Sequence, residues 1–264
     1  MEPVICFGQQ PNGFLPKRFF YAKILKARKL QKDIGGSMVF FLHDSDHDPR
    51  ETQTKIRSDE YKEGYATFNF RIDDRITRRW SPLAIKEFNP KSMDWIRKKV
   101  RDILPSDVFE NLNGIKTTNV TRFCMEVYKR MGLLDEMEIV SSHYPGFRKK
   151  ADLSEFGNGD GFYFDTEYEG RTVRAEICEG TLRLHHGGQH YTKIREVESG
   201  DLLKTPECIS PGRDRRFHWM NSVIGCTHYV AGNEEMKYLS GIKGIKIIRR
   251  EQISDPGFAW IPSR

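Results

Sequence analysis

The densest group of ionisable side chains in this sequence is the segment His43-Asp44-Ser45-Asp46-His47-Asp48, with Glu51 close behind it. The segment directly follows an apolar run, Met38–Leu42, that has the composition of a buried strand. Its carboxylates could hold the amine of an amino acid, and His47 could act as acid or base because its ordinary pKa is near physiological pH. Like charges concentrated after a buried strand destabilise the fold, so their presence suggests a function. We therefore predict Asp46, His47 and Asp48 as catalytic residues with His43 and Glu51 as binding residues; an acidic surface loop is the alternative.

A second polar segment, Gly8-Gln9-Gln10-Pro11-Asn12-Gly13, follows the apolar run Pro3–Phe7. Glycines let backbone N–H groups approach a phosphate or carboxylate at a helix N-terminus, and each glutamine amide offers both a donor and an acceptor. These properties predict that Gly8, Gln9, Gln10 and Gly13 bind a ligand, with an ordinary glycine-rich turn as the alternative. Lys23, on the helix that follows, suits an anionic ligand.

The sequence gives weaker support for a metal site or for a nucleophilic cysteine. A metal ion is one conceivable use of the Asp-His-Asp loop, but the loop has no recognised ligand spacing, so the sequence predicts no metal ligand and leaves a metal unknown. His185 and His186 lie next to each other in a strand pattern, point to opposite faces, and are predicted to be exposed. Cys226 and His228 could share a strand face, but a buried core thiol is the expected state of Cys226.

The elements between the two polar segments determine whether they form one site. Apolar residues recur with helical spacing from Phe20 to Ile34, and Gly35-Gly36 suits the end of that helix. A strand, a helix and a strand with short connections make a βαβ unit. Open parallel sheets bind ligands at the carboxyl ends of their strands. We therefore predict that the two segments lie side by side at the carboxyl edge of one parallel sheet.

The rest of the chain continues this pattern with one interruption. Alternating short apolar runs broken by glycines begin near Ser154 and predict an antiparallel meander. The predicted fold class is α/β: a Rossmann-like parallel sheet flanked by helices, built from residues 1–150 and 205–264, with an antiparallel β-rich insert at 151–204. Further predicted helices start near Ser92, after Thr117 or Thr118, and at Arg216–Ile224 and Glu234–Leu239; further predicted strands are near 65–70 and at Glu138–Val140, Thr227–Ala231 and Ile245–Ile248.

Composition limits the classes of partner. The chain has 264 residues, of which 38% are hydrophobic and 30% charged, a globular balance. Its net charge of +6 gives a weak preference for anionic ligands but no nucleic-acid footprint, so a small-molecule substrate is expected and nucleic acid is not. The five cysteines are widely spaced, which favours free thiols and a cytoplasmic location. The lack of a long apolar run predicts no membrane partner, and the oligomeric state stays open.

Three blocks of this sequence, in order, resemble the catalytic core of the bacillithiol synthase (cysteine ligase) family. The first is the segment Gly8 to Gly13 with Tyr21 and Lys23, and the second is Asp46-His47-Asp48-x-x-Glu51. The third contains Arg216 and Asn221, then Thr227-His228-Tyr229-Val230-Ala231-Gly232-Asn233-Glu234-Glu235, with Tyr238 beyond. Together the blocks span almost the whole chain, although Asn221 stands where the family has aspartate and Ser45 where it commonly has glutamate.

The resemblance implies a Rossmann-like core related to class I aminoacyl-tRNA synthetases and other nucleotidylyl transferases. It also implies a ligase that joins a cysteine-like amine to a small carboxylate or sugar-acid substrate, with ATP or another nucleotide as a candidate activator. By the same resemblance, Arg216, Asn221, Gly232, Glu235 and Tyr238 bind the substrate or the nucleotide. Two alternatives stay open: a non-catalytic small-molecule or nucleotide-binding protein that retains the core pocket, and, more remotely, an RNA-binding protein.

Overall fold

A computed structural model describes residues 2–187, 190–239 and 241–262 of this chain. Its strands, in chain order, are β1 (Val4–Gln9), β2 (Ser37–Leu42), β3 (Thr54–Arg57), β4 (Tyr65–Phe68), β5 (Met137–Ser141), β6 (Phe162–Tyr168), β7 (Arg171–Cys178), β8 (Thr181–Gly187), β9 (His190–Glu196), β10 (Ile209–Pro211), β11 (His228–Ala231) and β12 (Lys246–Arg249). Its α-helices are α1 (Arg18–Ile34), α2 (Arg75–Trp80), α3 (Pro90–Val100), α4 (Ser106–Glu110), α5 (Val120–Arg130), α6 (Pro145–Arg148), α7 (Ser199–Leu202), α8 (Arg216–Ile224) and α9 (Met236–Leu239).

The central element is a five-stranded parallel sheet with the strand order β12-β11-β1-β2-β5. Successive side chains of a strand point to opposite sides of the sheet, so its apolar residues lie on both faces. Helices cover both of these faces. Ile5 and Phe7 of β1 pack with residues of α1 and α5, whereas Cys6 packs with Phe217 and Met220 of α8. The α/β class with a helix-flanked parallel sheet is therefore confirmed.

Helix α1 follows the predicted apolar stripe for most of its length. Phe20, Ile24 and Ala27 are buried, but Ile34 is 39% exposed because the last turn extends past the core. Gly36 then has a φ of +93°, and a Cβ there would lie 2.1 Å from the carbonyl oxygen of Pro3. Only glycine fits this close approach between the end of α1 and the start of β1.

Several predicted boundaries need correction, and the first affects the site. Strand β1 runs to Gln9 rather than to Phe7, because Gly8 and Gln9 still pair with Phe41 and Leu42 of β2. A change from apolar to polar side chains does not end a strand whose backbone is still paired. Helix α9 begins at Met236, two residues later than predicted.

Two other helices start where an asparagine side chain accepts a backbone N–H. Asn89 accepts from Lys91 N at 3.0 Å, and Pro90 is the first helical residue, so α3 begins before Ser92. Asn119 accepts from Arg122 N at 3.0 Å and starts α5, one residue after the predicted Thr118. Both starts are typical of the asparagine N-cap.

The antiparallel meander forms a second five-stranded sheet with the order β10-β6-β7-β8-β9. It has its own apolar core, which includes Val173, Ala175 and Leu182. Its strands form a sheet separate from the parallel sheet, and their antiparallel pairing is as predicted. Strand β10 pairs with β6 from beyond residue 204, so the sheet extends past the predicted end of the insert.

Buried polar contacts connect this second sheet to the rest of the protein. Arg148, on α6, is almost fully buried; it donates from Nη1 to Asp165 Oδ2 at 2.6 Å and from Nε to the carbonyl of Ser142 at 2.8 Å. On the other side, Ser81 Oγ donates to the carbonyl of Thr172 at 2.6 Å. These contacts place β6 and β7 next to the carboxyl end of the parallel sheet. Within the described ranges, no helix combines the length and apolarity that a membrane span requires.

Candidate functional site

A cavity opens at the carboxyl edge of the parallel sheet where the strand order reverses. The chain proceeds from β1 outward to β2 and β5, and then returns to the other side of β1 to add β11 and β12. Ligands of open α/β sheets bind at such reversal points. The cavity has a volume of about 480 Å³, within the usual range for small-molecule sites. Ten of the residues predicted from the sequence line it: Gly8, Gln9, Gln10, Lys23, His43, Glu51, Arg216, Gly232, Glu235 and Tyr238.

The carboxylate of Asp46 connects the three sequence blocks. Gln10 Nε2 donates to Asp46 Oδ2 at 3.1 Å, and Arg216 Nη2 donates to the same oxygen at 3.2 Å. Gln9 Nε2 in turn donates to Gln10 Oε1 at 2.8 Å. The loops after β1 and β2 therefore lie side by side, which confirms the predicted geometry.

Asp46 is an ionised carboxylate whose oxygens are already engaged. Its Oδ1 accepts the backbone N–H of His47 at 2.7 Å, and Arg174 Nη1 lies 3.7 Å away. Burial by itself would raise the pKa of Asp46, but Arg216 and Arg174 together lower that pKa below its ordinary range. Asp46 therefore orients its neighbours and is poorly suited to accept a proton near neutral pH.

His47 has buried cations on two sides. Arg174 Nη1 lies 3.3 Å from His47 Nδ1, and Lys86 Nζ donates to the His47 carbonyl at 2.6 Å. Burial and the charge of Arg174 lower the pKa of His47 to about 4. Burial also lowers the pKa of Lys86 to about 7. His47 is thus a neutral imidazole at physiological pH.

His43 and Gly8 occupy the floor of the cavity together. A Cβ on residue 8 would lie 2.4 Å from His43 Nε2 and 3.0 Å from the hydroxyl oxygen of Tyr229. Gly8 is therefore required for the space it leaves, and it lies within β1 rather than in the loop that follows. His43 is 7% exposed, and its Nδ1 has no hydrogen-bond partner among the residues that the structure describes. Burial, with Arg216 and Lys23, lowers the pKa of His43 well below its ordinary value, so this ring is also neutral.

The charge of Lys23 is compensated within the protein. Its Nζ lies 2.5 Å from Glu235 Oε2 and donates to the carbonyl of Gly8 at 2.7 Å. The Glu235 carboxylate also accepts from Gly232 N at 2.6 Å and from the Tyr229 hydroxyl at 3.1 Å. Lys23 therefore lines the cavity, but its main contact is an ion pair rather than an open anion site.

Three residues predicted to belong to the site make structural contacts instead. Gly13 has a φ of +99°, and its carbonyl accepts from the Tyr128 hydroxyl at 2.8 Å. Asn221 Oδ1 accepts the backbone N–H of Cys226 at 2.8 Å after the end of α8. Asp48 forms a salt bridge of 2.6 Å with the exposed Arg50. We therefore leave these three residues out of the site. Gly13 is accounted for by a turn, Asn221 by the end of α8, and Asp48 by a surface ion pair.

Sequence reasoning missed several cations of the site. Arg174 is 3% exposed and belongs to β7 of the insert, far from the other site residues in sequence. Arg250 is 7% exposed and lines the cavity, and within the described part of the chain its Nε has no hydrogen-bond partner. Its position directly after β12 is a signal that could have been used, because the other strand ends of this sheet carry the site. Arg213 also lines the cavity and stacks over Tyr238, 5.6 Å from the ring centre. For Arg174 we find no comparable signal in the sequence.

The other predicted groups do not add chemistry to this site. His185 is exposed and contacts the Glu176 carboxylate, whereas His186 Nε2 contacts Thr192 Oγ1 at 2.6 Å. Cys226 is buried, as expected, and His228 Nδ1 lies 2.9 Å from Thr227 Oγ1. Among the residues that the structure describes, no group of three or more His, Cys, Asp or Glu side chains is arranged to hold a metal ion.

We compared the sequence with protein families and with curated proteins. No family model matches the chain, and no curated protein sequence gives a significant match.

Proposed function

We propose that this protein is a small-molecule ligase with a Rossmann-like core, and that the cavity between β1 and β11 is its active site. Numbered by their own order along the chain, the parallel strands read 3-2-1-4-5 across the sheet. That order is the order of the first five strands of the Rossmann fold, which supports the assignment. The resemblance of the three blocks to the bacillithiol synthase family supports the same reaction class.

The observation that carries the proposal is the convergence of Gln10 and Arg216, which line this cavity, on the carboxylate of Asp46 beside it. Three distant segments meet at one partly buried carboxylate, with hydrogen bonds of 3.1 and 3.2 Å. Such a network fixes side chains at a sheet edge, where core packing alone would leave them free. A neutral histidine, His47, is attached to the same carboxylate through its backbone.

The lining of the cavity suits a substrate that carries both an amine and an acidic group. Arg213, Arg216 and Arg250 offer guanidinium groups, and Glu51 offers a carboxylate. Burial raises the pKa of Glu51, and Asp46 and Asp48 raise it further against the opposing charge of Lys17. A carboxylate with a raised pKa is a better proton acceptor near neutral pH than the strongly acidic Asp46.

The proposed reaction forms an amide. The nitrogen of an amino acid attacks the acyl carbon of a small carboxylate, a C–N bond forms, and Glu51 receives the proton from nitrogen. The carboxylate oxygen leaves as water, or as part of a phosphate or nucleotide group if a nucleoside triphosphate has activated the carboxylate. Arg213 and Arg250 are the groups in the cavity that would bind nucleotide phosphates, because guanidinium groups match phosphate oxygens.

The alternative is a binding protein that uses the same cavity without catalysis. The engagement of Asp46 by Gln10, Arg216 and its own loop favours it, because a fully paired carboxylate is a good structural element and a poor catalyst. The two functions differ in turnover and not in ligand affinity.

A two-part experiment tests both. Thermal shift is measured with amino acids, small hydroxy acids and nucleotides, since a ligand that binds only the native state raises the melting temperature. Mixtures of the ligands that bind are then incubated with the protein, and mass spectrometry looks for a product equal to the sum of two substrates less one water. We expect such a product from the parent protein, and from Glu51→Gln at least about 10²-fold more slowly at saturating substrate.

Glu60→Gln is a matched control, because Glu60 is an exposed carboxylate in the turn that precedes β4. It should bind and react as the parent does. Ligand binding with no product from any mixture would favour the binding protein, and the lack of any thermal shift would contradict both functions.

A further inference from the structure

His47 is held by two buried basic side chains from different parts of the chain. Arg174, on β7 of the antiparallel sheet, is 3% exposed, and its Nη1 lies 3.3 Å from His47 Nδ1. Lys86 is fully buried and donates from Nζ to the carbonyls of His47 and Arg78 at 2.6 and 2.8 Å. One cation therefore contacts the ring and the other holds the backbone of the same residue.

Arg174 is itself held rigidly. Its Nε donates to Ser210 Oγ at 3.0 Å, and its Nη2 donates to the carbonyl of Pro211 at 2.9 Å. The guanidinium carbon lies 3.7 Å from the centre of the Tyr163 ring, a stacked cation–π distance. These contacts leave Nη1 as the group directed at His47.

The donor character of arginine determines which nitrogen of His47 carries the proton. A guanidinium group has N–H donors and no acceptor, so its contact with Nδ1 is a hydrogen bond only when Nδ1 has a free lone pair. Asp46 Oδ1 is 3.9 Å from Nδ1, too far to accept a proton from it. That oxygen instead accepts the backbone N–H of His47 at 2.7 Å. The proton of the neutral ring therefore belongs on Nε2.

The charges that face His47 agree with a neutral ring. Burial, Arg174 and Lys86 lower its pKa, whereas Asp46 and Asp48 oppose them; the pKa falls to about 4. The ring of Tyr163 lies 6.0 Å from the imidazole, centre to centre, and adds no charge of its own near neutral pH. The imidazole is thus a hydrogen-bond donor through Nε2 across the physiological pH range.

We propose that Arg174 is a positioning residue that fixes His47 as the Nε2–H tautomer, so that the loop beside the cavity presents a hydrogen-bond donor at His47 and not a base. This proposal rests on the proposed ligase function for its chemical meaning. When an amine attacks an acyl carbon, negative charge develops on the carbonyl oxygen, and a fixed N–H donor stabilises that oxygen. The proton released by the amine goes to a different group, which is Glu51 in the proposed reaction. The antiparallel sheet would then be part of the active site, since it supplies the residue that sets the tautomer.

The test is nitrogen NMR of the full chain with ¹⁵N-labelled histidine. The His47 signals are identified by their loss in His47→Gln. At pH 7 we expect an unprotonated Nδ1 and a protonated Nε2 in the parent protein. In Arg174→Gln we expect a mixture of the two tautomers and an upward shift of the His47 titration midpoint by about one pH unit, because a nearby positive charge has been removed.

Two further variants separate positioning from a general effect on folding. Ser210→Ala removes a contact of Arg174 but leaves its Nη1 facing His47, so the tautomer should stay unchanged. Arg174→Lys keeps a positive charge without the planar fork and serves if Arg174→Gln does not fold; a mixture of tautomers is expected there too.

A protonated Nδ1 in the parent protein would overturn the proposal, and so would an unchanged single tautomer in a folded Arg174 variant. The NMR measurement needs no substrate. A confirmed tautomer without ligation would therefore count against the proposed function alone, and ligation with an Nδ1–H tautomer would count against the role of Arg174 alone.

Discussion

The ammonium group of Lys23 lies 2.5 Å from the carboxylate of Glu235, so that α1 and the loop after β11 are joined by an ion pair inside the protein. Lys23 is 2% exposed, and its side chain also donates to the carbonyl of Gly8. The contact crosses the reversal point of the parallel sheet, beside the cavity. It holds in place the two elements between which a ligand would enter.

Removal of either Lys23 or Glu235 alone should lower the free energy of unfolding. Lys23→Met leaves the Glu235 carboxylate without its cation, and the expected loss in the free energy of unfolding is about 3–5 kcal/mol. The double variant Lys23→Met/Glu235→Gln should recover a large part of that loss, because no charge is then left unpaired. Urea denaturation of the parent, the single variants and the double variant measures this coupling. Additive losses in the double variant would mean that the pair does not act as a unit.

Gly8→Ala tests whether residue 8 is glycine because of space. The added Cβ would lie 2.4 Å from His43 Nε2, so the ring or β1 must shift, and a loss of about 1–3 kcal/mol is expected. Gly200→Ala is the matched control, because a Cβ there would meet no atom within 4 Å. Both variants are compared by denaturant unfolding. Equal stability of the two would show that the floor of the cavity can adjust to a methyl group.

The sequence predicts the residues around Gly8 only in part, because some of their contacts join residues that are far apart in the chain. The helix from Phe20 to Ala27 is predicted by the periodicity of its apolar residues, because a helix that packs against a sheet has apolar residues at helical spacing. The meeting of Gln10 with Asp46 follows from the strand–helix–strand order. The role of Gly8 does not, because it depends on His43, which directly follows β2, and on Tyr229 of β11.

Arg174 illustrates a harder limit. It stands between Val173 and Ala175 in a strand of the insert, and nothing local distinguishes it from a charged residue on a solvated face. Its burial arises only because β10 and the loop at Asp46 close over the second sheet. Asp48 shows the opposite case: the sequence groups it with Asp46 and His47, whereas in the structure its carboxylate forms a local ion pair with Arg50.

The neutral histidines predict how stability depends on pH. The pKa of His47 is lowered to about 4 by burial and Arg174, whereas an unfolded chain protonates histidine near pH 6.5. Below that pH the unfolded state binds the proton first, so stability is full above about pH 6.5 and is lost as the pH falls towards 4. His43, whose pKa burial also lowers, adds to the loss with the same sign.

Unfolding free energies measured at pH 7, 6, 5 and 4 check this prediction. His47→Gln should lose less stability over that interval than the parent protein does. His218→Gln, a change at an exposed histidine of α8, should follow the parent. A parent protein as stable at pH 4.5 as at pH 7 would show that these two rings take up protons freely in the folded state.

The substitution Asp46→Asn separates the structural and the chemical roles of the central carboxylate. A residue in a loop after a strand would ordinarily tolerate this change with little loss of stability. Here Arg216 and Arg174 lie 3.2 and 3.7 Å from the Asp46 oxygens, and the neutral amide would leave both guanidinium groups without their anion. We therefore expect a loss of about 3–5 kcal/mol, together with weaker ligand binding because Gln10 and Arg216 are no longer fixed.

Asp48→Asn is the comparison, since its partner is the exposed Arg50 and a surface ion pair contributes at most about 1 kcal/mol. Denaturation and ligand-induced thermal shift, measured on both variants, give the stability and the binding separately. If Asp46→Asn keeps its stability but no longer binds, Asp46 contacts the ligand directly. If it loses stability and regains binding at low temperature, where the native state is populated, Asp46 acts through the arginines that it holds. The arrangement of donors around its two oxygens favours the second outcome.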